Sequence, residues 1–215
     1  GVEENFVPIN FDSWTLDTYG YRHFIAQEDY TLINEHVDVR SNHAALIREI
    51  GAASTVLLKN NGALPLSGNE RFTGIFGDDA GPNPDGPNGC GDRGCDHGTL
   101  ACAWGSGTAN FANLVTPARA IEEQVAARGN GIVQAIFDNY AYSQIQSLAG
   151  QSSVAIAFVS SDSGEGYITV DGNQGDRNNL TLWHGGDDLV KAVTSMCNNT
   201  IVVIHSVGPV LLDSF

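Results

Sequence analysis

Glu165 is the residue with the clearest chemical use. It sits in Ser161-Asp162-Ser163-Gly164-Glu165-Gly166-Tyr167, between two glycines. Flanking glycines let the backbone take angles that push a carboxylate out of its loop. Tyr167, two residues on, can offer an aromatic face to a sugar ring. A carboxylic acid beside an aromatic platform suits glycosidic cleavage, in which an acid must protonate the leaving oxygen. The plainer reading is a solvated loop glutamate, since acidic loops are common in an acidic protein.

Other candidates are weaker on their residues alone. Asp171-Gly172-Asn173-Gln174-Gly175-Asp176 invites a calcium reading but fails the EF-hand pattern: glycine stands at the fifth position and Leu182 at the twelfth. A turn-rich loop is expected instead. Cys90 and Cys95 share a glycine-rich loop and could be a redox pair, half a metal site or a small disulfide loop. No second Cys or His pair follows at zinc spacing, and His97 alone is insufficient. A secreted chain would favour the disulfide. Cys102 and Cys197 are then left over, with Cys197 expected as a buried free thiol near a helix end. Asn179-Leu180-Thr181 and Asn198-Asn199-Thr200 are glycosylation sequons. Gly105-Ser106-Gly107-Thr108 resembles a fragment of a phosphate loop but lacks the P-loop lysine. His205 ends an apolar strand and reads as a satisfied core histidine. No metal or cofactor is implied.

The elements that must hold these residues alternate. Residues 1–40 are aromatic-rich without clear periodicity and read as a packed linker. The pattern predicts helices over 43–59, 117–128, 139–148 and 187–197. It predicts strands over 72–77, 132–137, 154–160 and 201–205. Thr116 and Pro117 supply an N-cap and a first-turn proline, and Gly129 a stop. Strands that are continuous apolar runs between helices imply an α/β fold: a mostly parallel sheet covered on both faces in three layers. Ligands in such sheets lie beyond the carboxyl ends of the strands. The places to look are therefore the long loop 78–115, the loop 161–183 and the segment from Ser206.

The balance of 25 acidic against 10 basic residues gives a net charge of −15 over 215 residues. That argues against a polyphosphate partner. No apolar run approaches the roughly 20 residues of a membrane span. Charged residues are 16%, below the roughly 25% of an average soluble domain. A lysine-poor surface rich in amides and hydroxyls suits a secreted protein. The chain opens at Gly1 and stops at Phe215 after an apolar stretch, so both ends are expected to be cuts in a longer chain.

Several segments together resemble the fungal-type β-glucosidases of glycoside hydrolase family 3. They are STVLLKNNGALPL (54–66), NGCGDRGCDHGTL (88–100), WGSGTANF (104–111), SDSGEGYITVDGNQGDRNNLTLW (161–183) and CNNTIVVIHSVGPV (197–210). The resemblance runs in order along essentially the whole chain. It implies a linker over 1–40 and an α/β sandwich domain over 41–215 whose C-terminal end is missing, with a (β/α)₈-like barrel absent upstream. It implies hydrolysis of terminal non-reducing β-D-glucosyl residues with retention, by a barrel aspartate as nucleophile and a glutamate as acid/base. The glutamate carries over to Glu165, a glucose-subsite serine to Ser106 and an aglycone-side aromatic to Tyr167. A family disulfide carries over to Cys90 and Cys95, and glycans to Asn179 and Asn198. Cys102 departs from the family pattern. The partners implied are a β-glucoside, the barrel of the same polypeptide and room for a homodimer, with no nucleic acid and no membrane. The alternative is a non-catalytic carbohydrate-binding or structural α/β domain. A retaining mechanism needs its carboxyls about 5–5.5 Å apart, so Glu165 is expected to reach across an interdomain cleft. It must be protonated when it first acts, which favours a carboxylate or burial beside it.

Overall fold

A computed structural model describes residues 17–23, 26–33, 41–89, 97–101, 109–170 and 172–215. The chain divides into two compact units, Gly1–Leu58 and Lys59–Phe215. The first holds an antiparallel hairpin, β1 (Tyr19–His23) with β2 (Glu28–Leu32), and helix α1 (His43–Ala53). Sequence periodicity does not reveal the hairpin. Tyr21 and Tyr30 face each other across the strands as an edge-to-face pair, with ring centroids 5.2 Å apart. The helix ends six residues before the expected Lys59, at Ala53. Ser54 and Thr55 then turn their hydroxyls back onto the carbonyl of Gly51, satisfying acceptors that the next turn would have used.

The second unit alternates as its apolar runs predict. In chain order it has β3 (Phe72–Phe76), α2 (Pro117–Arg128), β4 (Ile132–Ile136), α3 (Tyr142–Gln151), β5 (Val154–Ser161), a two-residue pair β6 (Thr169–Val170) and β7 (Asn173–Gln174), α4 (Gly186–Thr194) and β8 (Thr200–Ser206). Four strands form one sheet in the order β4-β3-β5-β8, every neighbour parallel. β5 is buried along almost its whole length because it packs on both faces. Val154, Ile156 and Phe158 join Ile75 and Ala118 under α2. Ala155, Ala157 and Val159 join Phe76, Ile145, Leu148, Leu189 and Val193 under α3 and α4. This is the three-layer α/β arrangement.

The helix ends follow local chemistry. Thr116 accepts from the N–H of Arg119 at 3.3 Å, Pro117 opens α2, and Gly129 closes it at φ 73°. α3 starts three residues later than its apolar pattern suggests. Asp138 takes the N–H of Tyr140 onto its carboxylate and that of Ala141 onto its carbonyl. That Asx turn competes with helix and leaves Asn139 free for other use. α4 stops at Thr194, before the expected Cys197. Cys197 is a buried free thiol, as expected, with its Sγ 3.5 Å from the carbonyl of Asn199.

The strand order reverses between β3 and β5. β4 lies on one side of β3, and the chain then crosses to the other side for β5 and β8. The carboxyl ends of β3 and β5 therefore flank the switch point, where α/β sheets open a crevice for ligands. Gly77 makes the exit from β3. Its φ is 110°, and a Cβ there would lie 2.0 Å from the carbonyl oxygen of Phe158, so no other residue fits. Phe76, just before it, is fully buried. Phe76→Ala is expected to cost about 3–5 kcal/mol of folding stability, measured as a lower midpoint in denaturant unfolding; a loss below about 1 kcal/mol would contradict this packing.

Candidate active site

Two aspartates leave β3 and organise its carboxyl end. Asp78 and Asp79 follow Gly77 in a 3₁₀ turn, Asp78–Ala80. Each uses one carboxylate oxygen on the backbone of a distant segment: Asp78 accepts from Gly98 N–H at 3.1 Å, and Asp79 from Leu100 N–H at 2.8 Å. Each points its other oxygen at a histidine. Asp78 Oδ2 is 3.4 Å from His184 Nδ1, and Asp79 Oδ2 is 2.8 Å from His205 Nδ1. Asn139 bridges the same groups, accepting from Asp78 N–H at 2.7 Å and donating to the carbonyl of His184 at 2.9 Å. The ends of β3, β4 and β8 and the turn before α4 are thus tied together by side chains.

These anchors bracket the long loop. Thr99 gives its N–H and its hydroxyl to the carbonyl of Gly81, both at 2.9 Å. Asn88 and Phe111 exchange two hydrogen bonds at 2.8 and 2.9 Å. Ser106 lies between those anchored stretches in sequence but outside the described residues, as do Cys90, Cys95 and Cys102.

Asp79 is only 2% exposed, and neither its Oδ2 nor His205 Nδ1 has another partner among the described residues. The Asp79 carboxylate, accepting from the His205 imidazole, raises the His205 pKa above its ordinary value. Burial opposes the shift, and the charge of Asp79 adds to it. The sequence leads one to expect a satisfied core histidine; instead the His205 side chain is 34% exposed, and its Nδ1 faces the Asp79 carboxylate alone among the described residues.

The second loop leaves β5. Ser161 and Asp162 are buried at its root, and Ser163 N–H bonds to the Asp162 carboxylate at 2.7 Å. Glu165 then stands exposed at the turn, with its carbonyl accepting from Ile168 N–H at 3.0 Å. Tyr167 is 79% exposed. The loop folds back through β6 and β7 over a small apolar cluster of Ile168, Val170 and Trp183. Gly164 fits under the carbonyls of Gly175 and Ile168, where a Cβ would sit 3.0 Å from each. Asn173 closes the return turn, donating to the carbonyls of Gly175 and Asp176 at 3.0 and 2.9 Å. That turn occupies the stretch tested above for calcium. Among the described residues no group of His, Cys, Asp and Glu is arranged to hold a metal, and no helix is long and apolar enough to cross a membrane.

The structure places Glu165 and Tyr167 on one exposed turn of the loop that follows β5, whose carboxyl end flanks the switch point. The burial expected around a protonated Glu165 is not supplied by its own loop. Asn179 and Asn198 are exposed, and Thr181 Oγ1 donates to Asn179 Oδ1 at 2.8 Å. Asp78, Asp79, Asn139, His184 and Arg177 escaped the sequence reading. Paired acids after a glycine that ends an apolar strand were the one available signal.

A doubly wound α/β domain with an exposed carboxylate and tyrosine beyond its switch point defines a class in which loops carry the chemistry. Comparison with known proteins narrows it. The Glycosyl hydrolase family 3 C-terminal domain matches residues 55–215, and the chain belongs to that family. It is 60% identical to Beta-glucosidase 1 of Aspergillus aculeatus over 216 aligned residues, covering 100% of this chain and 25% of that protein. It is 58% identical to Beta-glucosidase A of Aspergillus kawachii, with the same coverage. Among solved structures, the Chaetomium thermophilum beta-glucosidase superposes with a TM-score of 0.83 at 59% identity, over 96% of this chain and 24% of that one. Beta-D-glucoside glucohydrolase from Trichoderma reesei gives 0.77 at 38% identity, over 90% of this chain and 27% of that one. The chain spans about a quarter of the length of the curated relatives it matches.

The raised His205 pKa has a consequence for stability. Folding favours its charged form, so the stabilisation is fully present below the ordinary histidine value of about 6.5. It is lost as pH rises through the raised folded value. His205→Asn is expected to lower stability by on the order of 1 kcal/mol below pH 6 and to flatten the fall in thermal midpoint above it. An unchanged slope between pH 6 and 8.5 would contradict the pairing.

Proposed function

We propose that this chain supplies the acid/base half of a retaining β-glucosidase active site whose nucleophile lies in a barrel domain of the same polypeptide. The observation that carries the reading is the exposed Glu165–Tyr167 turn at the carboxyl edge of the sheet. Family membership and relatives named beta-glucosidases support it.

Glu165 begins protonated. As the barrel aspartate attacks the anomeric carbon, the bond to the leaving oxygen breaks, and that oxygen keeps the electron pair and takes the Glu165 proton. The glucosyl–aspartate ester remains. The Glu165 carboxylate then removes a proton from water as the water oxygen attacks the same carbon and expels the aspartate. Two displacements return the original anomeric configuration. An exposed glutamate can serve only when a second surface closes over it, and docking against the barrel would supply the burial that favours its protonated form. Tyr167 would line the aglycone side, and Ser106 would reach the glucose subsite. The terminal β-D-glucosyl groups of cellobiose, cello-oligosaccharides and aryl glucosides are the substrates. No cofactor takes part. Secretion, a Cys90–Cys95 disulfide and glycans at Asn179 and Asn198 belong to the same reading.

In the intact enzyme, Glu165→Gln is expected to lower kcat/KM for cellobiose by about 10²–10⁴-fold, while a dinitrophenyl glucoside, whose leaving group needs no proton, keeps most of its value. Added azide should accelerate turnover of that activated substrate and yield the β-glucosyl azide. Cellobiose hydrolysis at the parent rate would refute the role of Glu165. The 215-residue piece alone is expected to release no glucose from either substrate, checked by a coupled glucose assay.

A further inference from the structure

Arg177 lies twelve residues beyond Glu165 and is half-buried behind its loop. Its guanidinium donates through Nη1 to Ser161 Oγ at 3.1 Å and through Nη2 to the carbonyl of Pro209. Its backbone N–H donates to Ser163 Oγ at 3.0 Å. Ser161 is the fully buried last residue of β5, and Pro209 belongs to the segment that follows β8. One side chain therefore fixes the return limb of the Glu165 loop to its outgoing limb and to the next strand's exit. Between these limbs lies the apolar cluster of Ile168, Val170 and Trp183, and hydrogen bonds fix the limbs on either side of it. A planar guanidinium with donors in a rigid fork can serve two acceptors at once, whereas an ammonium acts as a point charge. Gly208 completes the fit: a Cβ there would meet Nη2 at 2.9 Å.

We propose that Arg177 is a positioning residue that sets where Glu165 stands relative to the glycosidic oxygen. This rests on the reading of Glu165 as acid/base. The Arg177 guanidinium is engaged by Ser161 and Pro209. It acts by holding both limbs of the turn, and small displacements of a catalytic group cost large factors in rate.

The test is leaving-group selectivity in the full-length enzyme: kcat/KM for a dinitrophenyl glucoside divided by that for cellobiose. Misfolding lowers both values alike and leaves the ratio unmoved; a displaced acid raises it. Arg177→Met is expected to raise the ratio about tenfold or more, with azide accelerating turnover of the dinitrophenyl substrate. Arg177→Lys should fall between parent and Met. Gly208→Ala, which pushes the guanidinium without removing its charge, should shift the ratio in the same direction by less. Where Arg177→Met yields no folded enzyme, the Lys and Gly208 variants decide. A parent ratio in every variant, beside a raised ratio in Glu165→Gln, overturns the role of Arg177 alone. A parent ratio in Glu165→Gln as well overturns the acid/base reading, and this proposal with it.

Discussion

The contact between Asp79 and His205 is the constraint on which the site's architecture turns. A carboxylate 2% exposed at the end of one strand must find partners, because an unpaired buried charge is costly. It finds them in a histidine at the end of β8 and a backbone amide at Leu100. Those two bonds decide which segment lies over the carboxyl edge. Asp78 repeats the pattern one residue earlier with Gly98 and His184. Two neighbouring side chains so convert the end of β3 into the fixing point for elements that are far apart in sequence.

The sheet makes this possible by being rigid. β5 is apolar on both faces and packed between two helical layers, so its carboxyl end cannot shift without disturbing both cores. Glu165 inherits that rigidity only indirectly. It stands four residues past Ser161, on a turn held by polar contacts and by the apolar cluster of Ile168, Val170 and Trp183, and the chemistry proposed for it needs sub-ångström placement. A stiff strand carrying a lightly tethered loop is a common solution where a residue must be both exposed and precisely aimed.

Much of the fold was legible because buried strands are continuous apolar runs. Phe72–Phe76, Val154–Ser161 and Thr200–Ser206 stand out from polar surroundings, and the Thr116–Pro117 start of α2 is a local signal. α3 starts later than its apolar pattern because Asp138 captures amides that the helix would have used. The β1–β2 hairpin escaped because Tyr-Gly-Tyr-Arg-His and Glu-Asp-Tyr-Thr-Leu lack a clean alternation. Glu165 and Tyr167 stand out through their glycine neighbours. The clamps do not: Asp79 with His205, and Arg177 with Pro209, join residues more than thirty positions apart, and no local pattern records such a pairing.

The anchors of the long loop have one further consequence. Gly98, Thr99 and Leu100 are tied on one side and Phe111 on the other, by groups at 78, 79, 81 and 88. All of these partners lie between Asp78 and Asn88, directly after β3. The exit of β3 therefore acts as a template: a shift of that one segment moves Gly98, Thr99, Leu100 and Phe111 together rather than one at a time.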